Sequence, residues 1–217
     1  MNKILVVAAH PDDEILGIGG IVLRHTKRGD EVRNIIMCEG ESFRYGRDVG
    51  QNLAIQEVSK LLGVSKVYQL QYPDEKLDTY TLTELIKPLE QVSEEFKPDI
   101  VYCQSGYDAN QDHKILFQAA NIALRPTSEW IRNFYCFYTA SSTEWGVPRK
   151  FVPDTWVDVS SVLEEKIEAF EKYDSEVRQY PHPRSSDALR HQAHFWGNQC
   201  CMDAAEVLMT IRRVERG

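Results

Sequence analysis

Lys3-Ile4-Leu5-Val6-Val7-Ala8-Ala9-His10-Pro11-Asp12-Asp13-Glu14 is the stretch that decides the fold. The run from Ile4 to Ala9 is apolar without a break, as in a strand buried on both faces; a half-exposed strand would alternate. A histidine, a proline and three acids follow at once. From Asp13 to Arg28 the apolar residues recur at helical spacing and stop before Gly29, a good terminator. Strand, short polar turn and helix in that order open an α/β unit.

The alternation continues outward from this unit. Strands are expected at Glu31–Cys38, Val67–Leu70, Asp99–Cys103, Asn133–Tyr138 and Thr155–Val159, and helices at Asn52–Leu62, Thr81–Phe96, Asp112–Leu124, Ser161–Tyr173 and Ser185–Trp196. Pro88 is expected to kink the third helix. Glu206–Arg212 reads equally well as strand or helix. This order predicts a single domain over residues 1–217, an α/β fold with an open, mainly parallel sheet and helices on both faces. The longest polar loops are Glu39–Gln51, Gln71–Thr79, Gln104–Asn110, Thr139–Asp154 and Asp174–Ser185. In such folds the loops at the carboxyl ends of the strands build the ligand site.

Composition narrows the class. The chain has 217 residues, 42% hydrophobic and 27% charged, with a formal net charge of −8. That balance argues against a nucleic-acid or anionic-membrane partner, which would need a basic face. No apolar run reaches the roughly 20 residues of a membrane span, and the first apolar run is cut short at His10. The five cysteines (Cys38, Cys103, Cys136, Cys200, Cys201) include no C-x-x-C pair. They are read as small apolar groups in a reduced, cytoplasmic protein.

Two polar knots carry the chemistry. The first is His10 to Glu14. A helix N-terminus favours negative charge, so an acidic first turn with a cap is one reading. Capping needs one carboxylate, however, not a histidine and three acids in succession. Imidazole beside adjacent carboxylates suits a divalent metal better. The second knot is Tyr107-Asp108-Ala109-Asn110-Gln111-Asp112-His113, again at a strand end and a helix start. Alone, a histidine there is a structural one bonding a loop carbonyl. As a pair, the knots can face one crevice. Two histidines and an aspartate would leave an open position for water, and a nearby carboxylate could take that water's proton.

The chain resembles the PIG-L/LmbE-like zinc deacetylases. His10-Pro11-Asp12-Asp13-Glu14, after Ala9 and before Leu16-Gly17-Ile18-Gly19-Gly20, matches that family's opening motif, and Asp112-His113 its second. Gly29-Asp30-Glu31-Val32, Leu62-Gly63-Val64, Tyr72-Pro73-Asp74 with Leu77, and Lys97-Pro98-Asp99 fall in the family's order. The likeness covers residues 3–125 well and the rest more loosely. It implies a Rossmann-like three-layer α/β/α fold and a zinc-dependent hydrolase that removes an N-acetyl group from an amino sugar or sugar conjugate. His10, Asp13 and His113 would bind one Zn2+ per chain, although such a donor set also accepts other divalent transition metals. Asp12 would be the general base toward the metal-bound water and later the acid for the leaving amine. Asp112 would orient a catalytic group, and Glu14 would hold the motif by bonding backbone or a ligand histidine, against a reading as a simple first-turn carboxylate. Many members carry histidine where this chain has Asn110. Asn110 is therefore expected as a neutral donor to the oxyanion. Gln51 and Ala54 replace the family's common Arg and Glu, so the substrate subsite differs.

The substrate would be a small N-acetylated amino sugar, free or linked to a nucleotide or lipid. Arg44 and Arg47 are candidates to grip phosphate or hydroxyls, against a reading as solvated surface arginines. Asp74 would accept from sugar hydroxyls or cap a turn. His182 and Arg184, in the proline-rich Tyr180-Pro181-His182-Pro183-Arg184, would lie over the crevice. His191 and His194 are read as packing or oligomer-surface residues, His25 as a surface residue, and a homo-oligomer fits the family. Two other readings compete: an inactive sugar- or nucleotide-binding module on the same fold, and a two-carboxylate glycosidase. The glycines at 17, 19 and 20 do not support a dinucleotide site, because they lie within the helix rather than in the turn before it.

Overall fold

The structure is a computed structural model that describes residues 1–42 and 50–216. The strands are β1 (Lys3–Ala8), β2 (Glu31–Cys38), β3 (Lys66–Tyr72), β4 (Ile100–Gln104), β5 (Asn133–Phe137), β6 (Thr155–Asp158) and β7 (Ala205–Arg213). They form one seven-stranded sheet in the order β3-β2-β1-β4-β5-β7-β6. The strands from β3 to β5 in that order pair in parallel, whereas β7 runs antiparallel to both β5 and β6. The ambiguous C-terminal segment is thus a strand.

The helices are α1 (Asp13–Lys27), α2 (Gln51–Leu62), α3 (Leu82–Phe96), α4 (Gln111–Ala123), α5 (Leu163–Phe170) and α6 (Ser186–Asn198). Apolar residues of α1, α2, α5 and α6 pack on one face of the sheet. Those of α3 and α4 pack on the other. The three-layer α/β/α arrangement expected above is therefore present. α3 shows how its sequence makes a helix. Leu85, Leu89, Val92 and Phe96 line up on one buried stripe, and Thr81 with Glu84 forms a capping box at its start. Pro88 sits inside α3 without ending it. Proline deprives the carbonyl four residues back of its partner. Here that carbonyl, Glu84 O, accepts from the Tyr72 hydroxyl at 3.3 Å.

Two expectations need correction. His25 is buried, not a surface residue: the last turn of α1 folds onto the sheet, and the ring meets Asp30 at 2.8 Å and the Tyr102 hydroxyl at 2.9 Å. Cys38, Cys103 and Cys136 are buried as expected, but Cys200 and Cys201 are exposed in the turn after α6.

Strand order reverses between β1 and β4. The chain leaves β1 toward β2 on one side and returns to place β4 on the other. The connections after β1 and β4 therefore diverge and leave a crevice at their carboxyl ends, the usual ligand position in open sheets. His10 follows β1 and His113 lies in the first turn of the helix after β4.

Candidate active site

The turn after β1 is built to aim carboxylates inward. Asp12 adopts a left-handed conformation (φ 93°) as the N-cap of α1, yet its side chain makes no cap hydrogen bond. It turns into the crevice instead, where Oδ2 accepts from Arg184 Nη1 at 2.9 Å. Asp13 closes the turn by accepting the His10 backbone N–H at 2.8 Å. Across the crevice, Asn110 begins α4 by accepting the backbone N–H groups of Asp112 and His113. That cap points the His113 ring at the first knot.

His10 Nδ1, Asp13 Oδ2 and His113 Nε2 lie 3.3 Å from one another along each side of a triangle. A tetrahedral zinc site with donors ~2.0–2.1 Å from the metal has donor atoms roughly 3.3–3.4 Å apart. The donors and their spacing thus fit such an ion. The opposite edge of each ring is held by carboxylate. His10 Nε2 donates to Asp112 Oδ2 at 3.1 Å and faces Asp74 Oδ1 at 3.2 Å. His113 Nδ1 donates to Asp108 Oδ1 at 3.1 Å. With an ion bound between the rings and Asp13, these contacts would favour the tautomers that turn the lone pairs of His10 Nδ1 and His113 Nε2 toward it.

The electrostatics match the geometry. Asp12, Asp13, Asp74, Asp108 and Asp112 are all essentially buried. Burial alone would raise the Asp13 carboxyl, but the two imidazoles hold it well below the usual range. Burial would lower His113, but the Asp13 charge and the Asp108 hydrogen bond push it up to about 9. Burial also raises Glu14 to about 8, with Tyr173 donating to its Oε1 at 3.1 Å. Glu14 thus packs beneath the motif and makes no bond to a ligand histidine.

The remaining site candidates fall as follows. Asp112 lies behind His10, and its other oxygen accepts the Leu77 backbone N–H at 3.0 Å. Asp74, expected at a sugar hydroxyl or as a turn cap, is buried and faces the His10 ring. Asn110, expected as a donor to the oxyanion, stands at the start of α4. Its Oδ1 is committed to the helix cap, and its Nδ2 donates to Glu75 at 2.7 Å. Arg184 reaches Asp12, Glu176 at 2.5 Å and the Ser141 hydroxyl at 2.7 Å. His182 is tied into its own loop by the Arg184 backbone N–H and packs edge-on to Trp145. Burial, then the nearby arginines, lowers its pKa. Arg44 and Arg47 lie outside the described residues. Gln51 is buried and donates to Ser175 and Glu176.

Sequence reading gave no role to Asp108 or Glu176. Asp108 also accepts from the hydroxyls of Ser142 and Thr143, the latter at 2.7 Å. Its only sequence signal was its place in the second knot. Glu176 had none, because its partners come from distant segments.

Comparison with known proteins places this geometry in context. The sequence model described as GlcNAc-PI de-N-acetylase (PIG-L) matches residues 5–124. Diacetylchitobiose deacetylase of Thermococcus kodakarensis is 26% identical over 190 residues, covering 81% of this chain and 70% of that protein. A probable N-acetyl-alpha-D-glucosaminyl L-malate deacetylase 2 of Bacillus anthracis is 25% identical over 190 residues, with 81% of each chain covered. Among solved structures, a conserved protein of Thermus thermophilus superposes with a TM-score of 0.81 at 24% identity, covering 100% of this chain and 98% of that one.

Proposed function

The chain belongs to the GlcNAc-PI de-N-acetylase (PIG-L) family, and on that premise we propose that it is a zinc-dependent hydrolase removing the N-acetyl group from an amino sugar or its conjugate. The observation that carries this reading is the 3.3 Å triangle of His10 Nδ1, Asp13 Oδ2 and His113 Nε2. These three residues would hold the ion. Bound there, zinc polarises an amide carbonyl and makes the attacking water more acidic.

The chain's own residues do the rest. Asp12, next to Asp13, accepts the proton from the attacking water. Arg184 fixes the Asp12 carboxylate through Oδ2. Once protonated, Asp12 returns the proton to the departing amine, so one group serves as base and then acid. Asp112 and Asp74 orient His10, and Asp108 orients His113. Asn110 carries a carboxamide, which cannot transfer a proton, so proton transfer rests on Asp12 alone. Arg184, held by the two acids Asp12 and Glu176, closes the Asp12 side of the crevice.

A screen for acetate release settles the matter. It would use zinc-loaded protein and N-acetylated free amino sugars, sugar nucleotides and glycolipid head groups. Release from at least one class, lost on chelation and restored by zinc, is expected. Release of a free reducing sugar without acetate would point to a glycosidase. Ligand binding without acetate release from any class would point to a non-catalytic module.

A further inference from the structure

Helix α1 is two helical pieces. Ile18 (φ −138°, ψ 23°) leaves helical geometry and interrupts the hydrogen-bond ladder. A break of this kind strands carbonyls on its N-terminal side and N–H groups on its C-terminal side. Here both sets meet buried side chains from the far end of the chain. Lys166, on α5, donates from Nζ to the Leu16 carbonyl at 2.9 Å. Glu206, on β7, accepts the Gly20 N–H at 2.9 Å and the Ile21 N–H at 2.7 Å, one on each oxygen. The two side chains join at 2.6 Å and are only 7% and 4% exposed.

The glycine run explains how the pair gets in. A Cβ on Gly19 would sit 3.1 Å from Lys166 Cγ, and one on Gly20 would sit 2.7 Å from Val159 Cγ1 and 3.2 Å from Glu206 Oε1. Side chains at these positions would crowd the break that the ion pair fills. A buried ion pair is weak evidence for stability, since well-packed apolar groups often do as well. It does specify a geometry, because each charge must meet a fixed set of partners. The backbone fixed here runs from Leu16 to Ile21, directly after the turn that carries Asp12 and Asp13.

We propose that Lys166 and Glu206 are positioning residues. They clamp the break in α1, and the turn that leads into the clamped backbone presents Asp12 and Asp13 to the two histidines. This rests on the reading of Asp13 as a metal ligand. Both residues lie beyond residues 5–124, so the C-terminal part of the chain would complete a site whose ligands all lie in the N-terminal part.

Zn2+ affinity tests the clamp, measured by competition with a chromophoric chelator on protein shown to be folded by circular dichroism. The variants are Glu206→Gln, Lys166→Met and Lys166→Arg. Val92→Ala, in the core on the opposite face of the sheet, controls for a general loss of stability. Glu206→Gln and Lys166→Met should bind Zn2+ roughly tenfold or more weakly, as when other groups supporting metal ligands are removed. Lys166→Arg should recover most of the loss, and Val92→Ala should bind as wild type does despite its lower melting temperature. Should Glu206→Gln not fold, the two Lys166 variants carry the same comparison. Folded Lys166→Met that binds as tightly as wild type would overturn the clamp and leave the zinc site standing. Failure of wild type itself to bind Zn2+ would overturn the site, and the clamp's role with it.

Discussion

Asp108 is gripped from several sides, by the His113 ring, the hydroxyls of Ser142 and Thr143, and the Asn110 backbone N–H. Its loss should therefore be felt at the metal through His113. Asp108→Asn is expected to weaken Zn2+ binding about 10–100-fold, as read by chelator competition. Asp12→Asn should instead keep its zinc and lose roughly 10²–10⁴ in acetate release; unchanged turnover would remove Asp12 as the base. Asn110→Ala should act chiefly through the α4 cap and cost about 1 kcal/mol in urea unfolding. Asn110→Ser, which can still cap, should lose much less. The sequence made the triangle legible because its residues fall in two compact motifs, each at a strand end. It made the supports legible only in part: Asp112 and Arg184 were expected near the site, but Asp108 and Glu176 were given no role. The hydrogen bond from Arg184 to Asp12 spans 172 residues, and nothing local to either residue announces it.

At the scale of elements, α1 shows where periodicity misleads. Asp13 to Lys27 carries a helical pattern throughout, yet the helix breaks at Ile18. Pattern reports which face is buried, not whether the ladder is whole. Gly17 belongs to the same break. A Cβ there would lie 2.3 Å from the buried Phe137 ring and 3.0 Å from the Tyr138 carbonyl. Gly17→Ala should cost roughly 1–3 kcal/mol by overpacking. The pair Gly17→Ala with Phe137→Leu should cost less than the sum of the two single changes, measured by urea unfolding. β7 escaped assignment for a related reason. Its partly exposed far end and its antiparallel pairing are set by β5 and β6, not by its own sequence. α3, by contrast, was legible almost to the residue, because its cap, stripe and end are all local.

For the whole molecule, the sequence carried the layering well, since strand and helix signals alternate cleanly as far as residue 124. One network ties the chain's start to that layering. Asp30 accepts from the Asn2 backbone N–H at 2.7 Å, from His25 and from Arg28. Burial alone would raise the Asp30 carboxyl, but these hydrogen bonds hold it well below the usual range. A group depressed in the folded state contributes stability above its unfolded pKa of about 4, and that contribution fades as pH falls further. Metal-free wild type should therefore lose more stability between pH 7 and pH 3.5 than metal-free Asp30→Asn, as read by urea midpoints. An equal loss in both would remove Asp30 from the acid response.

The two histidines stand 103 residues apart in sequence, and their facing nitrogens are 3.3 Å apart in space. An ion shared between them would be a reversible cross-link closing a large loop of chain. Such a tie forms only where the fold brings the donors together, so its binding free energy adds to folding. It also makes the melting temperature follow free metal by mass action. Zinc should raise the melting temperature of wild type progressively with concentration, and a chelator should undo the rise. His113→Ala should flatten that dependence. The catalytic centre would then double as a fastener, and metal supply would govern how long the molecule stays folded as well as whether it turns over.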